Sequence, residues 1–100
     1  MTPPKGKREI FKFRLFVADD TPNSALALAN LDAICRKHLP DAFEIEVVDV
    51  FREPKRALAE NIFLTPTLIR VAPSPVVRIV GTLSHLGTVL QALGLESEAA

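Results

Sequence analysis

Few side chains in this chain have the type and spacing for covalent or acid–base chemistry, and none is backed by a second group. The single cysteine, Cys35, has no partner for a disulfide or a Cys-x-x-Cys couple. It falls on the apolar stripe of a predicted helix, which marks a small buried side chain rather than a nucleophile. Asp19 and Asp20 stand directly before Thr21-Pro22, and adjacent carboxylates ahead of a helix start read as capping groups sooner than as a cation site. His38 falls near the end of the same helix, where a cation suits the dipole, and His85 opens another; isolated histidines do not suggest a metal site. Ser24 has no histidine and acid in a recognisable triad arrangement. Four glycines leave no phosphate-binding loop. The chemistry is that of a binding protein, with no catalytic residue, metal or cofactor expected.

The elements that must position these residues follow from periodicity. Residues 10–18 alternate, with Phe11, Phe13, Leu15 and Val17 on one face and Lys12 and Arg14 on the other, which predicts a strand. A helix is predicted over 22–38, with Ser24, Ala27, Leu28, Leu31, Ile34 and Cys35 on its buried side and Leu26 nearly opposite. An apolar residue placed like Leu26 is either an isolated exposed side chain or part of a contact surface. Residues 43–50 form a second strand, and side-by-side pairing lets Lys12 and Arg14 meet Glu44 and Glu46. This first half is a β-α-β unit, whose right-handed crossover makes its strands parallel. Pro54 starts a short second helix with Ala57, Leu58, Asn61 and Ile62 as its stripe.

The stretch 64–84 then reads as a hairpin. Thr65-Pro66-Thr67 leads into one strand over 67–71, Pro73-Ser74-Pro75 breaks it, and a second runs over 76–80 before Gly81. Thr65-Pro66 is a candidate cis peptide, since a threonine-proline step entering a strand is where thioredoxin-like folds often keep one, X-Pro being the bond whose cis form costs only about 0.5–1 kcal/mol. Arg70 and Arg78 are the polar positions of the two strands. Leu83, Leu86, Val89, Leu90 and Leu93 recur at helical spacing, with Ser84 as cap and Gly94 as stop. The order β-α-β-α-β-β-α is that of a thioredoxin-like α/β domain, a mixed sheet covered by helices.

Composition bounds the rest. One hundred residues that are 48% hydrophobic make one domain, with an ordered core expected over 9–95. Twelve basic residues balance twelve acidic ones, so nothing electrostatic calls for nucleic acid or an anionic membrane, and neutrality favours self-association. The amino-terminal MTPPKGKRE lacks the apolar core of a signal peptide, and no apolar run approaches the ~20 residues of a membrane span. A reducing, cytoplasmic setting is expected from the lone cysteine. The tail 96–100 is expected to fray.

Several motifs together resemble the KaiB family of circadian-clock proteins. Members carry Leu-Tyr-Val-Ala-Gly-Asn, then Thr-Pro-Asn-Ser, Val-Ile-Asp-Val, Ala-Thr-Pro-Thr-Leu, and a proline-rich bend running into Arg-Ile-Ile-Gly-Asp-Leu-Ser. This chain has Leu15-Phe16-Val17-Ala18-Asp19-Asp20, Thr21-Pro22-Asn23-Ser24, Val47-Val48-Asp49-Val50, Leu64-Thr65-Pro66-Thr67-Leu68, and Pro75 followed by Arg78-Ile79-Val80-Gly81-Thr82-Leu83-Ser84. The resemblance spans about residues 10 to 95 in order and spacing.

What it implies is a non-catalytic regulator that binds a KaiC-like hexameric ATPase. The alternative partner is a sensor histidine kinase in a stress or two-component pathway. It also implies fold switching between the thioredoxin-like form, a monomer or dimer that binds the partner, and a β-α-β-β-α-α-β form that assembles as a tetramer. Pro66, Pro73, Pro75 and Gly81 are the fold-defining positions, and the long leucine stripe after Gly81 favours the thioredoxin-like form. The partner-binding surface is expected at Asp20, Asn23 and Leu26 together with Arg70 and Arg78, although solvated strand positions account for the two arginines equally well. The chain departs from the family at Asp19-Asp20 for Gly-Asn, Thr82 for Asp, and Leu26 and Val77 for arginine. No aliphatic side chain replaces the forked donor of an arginine.

Overall fold

A computed structural model describes residues 9–95; the amino-terminal segment and the tail discussed above lie outside the described residues. The element order is β1 (Phe11–Val17), α1 (Pro22–His38), β2 (Phe43–Asp49), α2 (Pro54–Ala59), β3 (Thr67–Ala72), β4 (Val77–Val80) and α3 (Leu86–Leu93). This is the thioredoxin-like order, not the β-α-β-β-α-α-β alternative. The strands make one mixed sheet in the order β2-β1-β3-β4. β1 runs parallel to β2 and antiparallel to β3, which is antiparallel to β4.

The predicted β-α-β register holds, with Lys12 opposite Glu44 and Arg14 opposite Glu46. Arg14 completes its pair, Nε lying 3.0 Å from the Glu46 carboxylate. The Thr65–Pro66 peptide is cis, and so are Ala72–Pro73 and Ser74–Pro75. Gly81 takes φ +120° directly after β4, a conformation that L side chains rarely adopt. Gly94 takes φ +72° as the left-handed cap of α3.

Alternation along β1 divides the core in two. Phe13, Leu15 and Val17 pack with Ala27, Leu31, Ile34 and Cys35 of α1, with Leu68 of β3, and with Leu83, Val89 and Leu93 around α3. Phe16 points the other way into a smaller cluster with Val48, Ala57 and Ile69, under α2. The face assigned to Lys12 and Arg14 is therefore apolar at its far end. α1 and α3 cover one side of the sheet, and α2, six residues long, covers part of the other.

Four expectations are corrected. Leu28 is 38% exposed rather than on the buried stripe, because it faces an open cleft beside Val47 and Asp49 at the end of β2. Leu58 likewise projects to solvent, leaving Ala57 as the buried residue of α2. Asp19 and Asp20 do not cap α1. Its N-cap is Thr21, with no side-chain capping bond, and Thr21 Oγ1 donates instead to Ser24 Oγ at 2.8 Å. Nor does Ser84 cap α3. The helix starts one turn later than the leucine spacing suggests, after His85, since Leu83 sits at φ +64°.

Removing the Phe16 side chain empties the centre of the α2-side cluster. Phe16→Ala is expected to cost about 3–5 kcal/mol in chemical denaturation. Leu58→Ala, equally apolar on paper, is expected to change stability by less than about 0.5 kcal/mol.

Candidate functional site

The carboxyl ends of parallel strands are where open α/β sheets place their sites, and here a cleft of about 520 Å³ opens at that end of β1 and β2. The start of α1 forms one wall with Asp19, Asp20, Ser24 and Leu28, and the β2–α2 connection forms the other with Asp49, Arg52 and Glu53. Local hydrogen bonds shape both walls. Ser24, buried, accepts from the Ala18 N–H at 3.0 Å and so ties the end of β1 to the first turn of α1. Asp49 accepts from the Phe51 N–H at 2.8 Å and lies 3.9 Å from Arg52 Nε.

Thiol chemistry would need a cysteine on the α1 wall, at the helix start, where the dipole stabilises a thiolate. Thr21, Pro22, Asn23 and Ser24 stand there instead. Cys35, three turns on, is fully buried in the α1 core, and burial, aided by the charge of Asp32, pushes its thiol up to about 12. Among the described residues no cluster of three or more His, Cys, Asp or Glu side chains is arranged to hold a metal ion. No described helix is long and apolar enough to cross a membrane.

The five residues expected on a partner surface do not form one patch. Asp20, Asn23 and Leu26 are exposed along the start of α1. Arg78 lies across the sheet on the α2 side, where its guanidinium donates to the Glu60 carbonyl at 2.7 Å and the Asn61 carbonyl at 3.3 Å. Arg70 is not a solvated strand position. It is only 7% exposed, on the α1–α3 side, and it donates to the carbonyls of Leu93 at 2.6 Å and Pro75 at 2.9 Å. Strand alternation explains the split, since Arg70 pairs with Val77 and Arg78 with Ile69, and paired residues share a face.

Two features escaped the sequence reading. On the α2 side Glu46 collects two arginines. Arg56 reaches it at 2.7 and 2.9 Å and Arg14 at 3.0 Å, while Arg14 also bonds Glu60 at 2.8 Å. The Arg56 and Arg14 hydrogen bonds hold the Glu46 carboxyl down at about 2. Only the Arg14–Glu46 pair had a sequence signal, in strand pairing; Arg56 arrives from α2 through the fold. The second feature is a run of large apolar side chains left in solvent. Phe51, Leu58, Phe63 and Leu64 are 62 to 82% exposed.

A profile of the KaiB domain matches residues 14–95, nearly all of the described structure. The chain belongs to the KaiB family. Among its KaiB relatives is the circadian clock protein KaiB3 of Synechocystis, 39% identical over 85 residues that make up 85% of this chain and 83% of that one. Another is the circadian clock oscillator protein KaiB of Thermosynechococcus vestitus, 41% identical over 88 residues, 88% of this chain and 82% of the relative. In architecture this KaiB-family chain is similar to the N-terminal domain of Synechococcus elongatus SasA, with a TM-score of 0.71 at 18% identity, covering 100% and 98% of the two chains. It is also similar to Fasciola hepatica thioredoxin, at 0.68 and 14%, covering 89% and 84%. At those identities the likeness is one of fold, and it confirms the thioredoxin-like class.

Two measurements check the site. Because its thiolate fraction is about a thousandfold below that of a thiol titrating at 9, Cys35 is expected to resist a thiol-reactive dye at pH 8 and to label stoichiometrically in denaturant. Glu46, held low in the folded chain, stabilises the fold above its ordinary value of 4.5, and that contribution disappears as pH falls toward 2. Glu46→Gln is therefore expected to flatten the pH dependence of stability between about pH 4.5 and 2, followed by urea midpoint.

Proposed function

We propose that this KaiB-family chain is a non-catalytic regulator that binds a KaiC-like hexameric ATPase in a clock or clock-derived timing system. The observation that carries this reading is the set Phe51, Leu58, Phe63 and Leu64. Four large apolar side chains stand in solvent within fourteen residues of one another in sequence, in a chain whose relatives are named as clock proteins. Isolated exposed leucines are ordinary, but aromatic side chains exposed to this extent are the usual anchors of protein interfaces. The helix start without cysteine supports the absence of thiol catalysis.

Arg78 belongs to the same side of the molecule. Its hydrogen bonds to the carbonyls of residues 60 and 61 hold the segment that presents Phe63 and Leu64. Asp20, Asn23 and Leu26 form a second contact at the cleft end, where the first turns of α1 face the β2–α2 connection. Arg70 contributes from inside, as part of the fold.

The test is co-elution with the KaiC-like ATPase of the same organism, in ATP and in ADP, with light scattering for mass. Phe63→Ala, a change at an exposed site, is expected to weaken the complex at least tenfold with the circular dichroism unchanged, and Leu26→Ala to weaken it less. Absence of a complex in both nucleotides, with binding to a sensor histidine kinase of the same organism, would replace the ATPase by the kinase as partner.

A further inference from the structure

Among the described residues, Arg70 is a guanidinium buried without a carboxylate partner. Its partners among them are two backbone carbonyls, Leu93 at the last turn of α3 and Pro75 in the bend between β3 and β4. Its Nε, also buried, has no hydrogen-bond partner among the described residues. The group lies over the Phe11 ring, 5.7 Å from the centroid, within the range of a cation–π contact. What offsets the buried charge is therefore the carbonyl end of α3, where the helix dipole is negative. A single side chain fastens the far end of α3 to the hairpin and to β1.

The rest of α3 is weakly held. It buries Val89 and Leu93, with Leu90 and the following Leu95 only partly buried against the same core, and Gly87 sits within its eight residues with open space where a Cβ would be. His85 gives its N-terminus no side-chain capping bond. Among the described residues no other side chain outside α3 hydrogen-bonds to it. At the near end the tie lies just before the helix, where Asn30 of α1 donates to the Thr82 carbonyl at 2.8 Å and reaches Ser84 Oγ at 3.3 Å. Gly81 and Leu83 in that connection take positive φ.

We propose that α3 is a strap that swings open as a unit about residues 81–84, and that Arg70 is the latch that keeps it shut. Two fully buried side chains and, among the described residues, a single side-chain fastening are the properties of a segment that opens below the global unfolding free energy. Opening uncovers Leu68 and Ile79, so the latch controls exposure of an apolar surface on the β3–β4 half of the sheet.

Amide hydrogen exchange on the full chain tests both parts. In the wild type, amides of residues 89–95 are expected to exchange through an opening distinct from that of β1. Gly87→Ala is expected to slow α3 exchange alone by about fivefold, the difference of roughly 1 kcal/mol between alanine and glycine in a helix. Arg70→Met, which removes both carbonyl bonds, is expected to speed α3 exchange at least tenfold while β1 and β2 amides change severalfold less. Arg70→Lys, which keeps the charge but cannot span both acceptors, is expected to speed it by a smaller factor, and it serves in place of the methionine variant if that chain does not fold. Uniform slowing of all amides by Gly87→Ala would show that α3 opens only with the whole domain and would overturn the strap. An α3 rate unchanged in the Arg70 variants, or raised no more than that of β1, would overturn the latch.

Discussion

Everything in this fold depends on β1, which is buried along one face and, at Phe16, on the other as well. Phe13, Leu15 and Val17 meet α1 and the surroundings of α3, while Phe16 meets Val48, Ala57 and Ile69 beneath α2. Such a strand cannot slip by one residue without exchanging its two sets of side chains between cores of different size. Its position also sets the topology. With β2 parallel on one flank and β3 antiparallel on the other, the α1 crossover must lie on one side of the sheet, and the cleft opens where the parallel strands end.

The two sides of the sheet use arginine differently. On the α2 side Arg14, Arg56 and Glu46 sit in partial contact with water, where an ion pair contributes little stability and mainly organises neighbouring elements. On the other side Arg70 is buried and bonded to carbonyls, where loss of the partners would leave an uncompensated charge in an apolar region. Within the hairpin itself, Arg70 fastens a short helix from within, while Arg78, eight positions on, holds the carbonyls of residues 60 and 61 at the surface.

The sequence pattern carries the strands, the parallel pairing and the extent of α1, because alternation, helical spacing and the β-α-β order are read directly along the chain, whereas X-Pro chemistry alone does not tell the cis peptides before Pro66, Pro73 and Pro75 from the other X-Pro bonds. It failed where exposure depends on elements distant in sequence. Leu28 has the right phase on α1, yet it faces the open cleft beside the β2–α2 connection. Arg70 looked like an ordinary polar strand position, since nothing near it in sequence announces that the end of α3, more than twenty residues on, will supply a carbonyl. The apolar side chains of 51–64 carry at most a helix-stripe signal in the sequence, and their exposure follows from the fold, where six-residue α2 buries only Ala57. The family was recognisable from its ordered motifs, whereas the partner surface is a product of the assembled fold.

The strand order β2-β1-β3-β4 leaves the sheet open at both ends, and open edges are templates for unwanted strand addition. This chain guards its two edges by different means. β2 offers seven residues, long enough to recruit another strand, but carries Glu44 and Glu46 along it, and the Glu46 carboxyl resists protonation until about pH 2. β4 has only four residues and begins just after Pro73 and Pro75, which have no N–H to donate. The longer edge is thus defended by charge and the shorter one by length and proline.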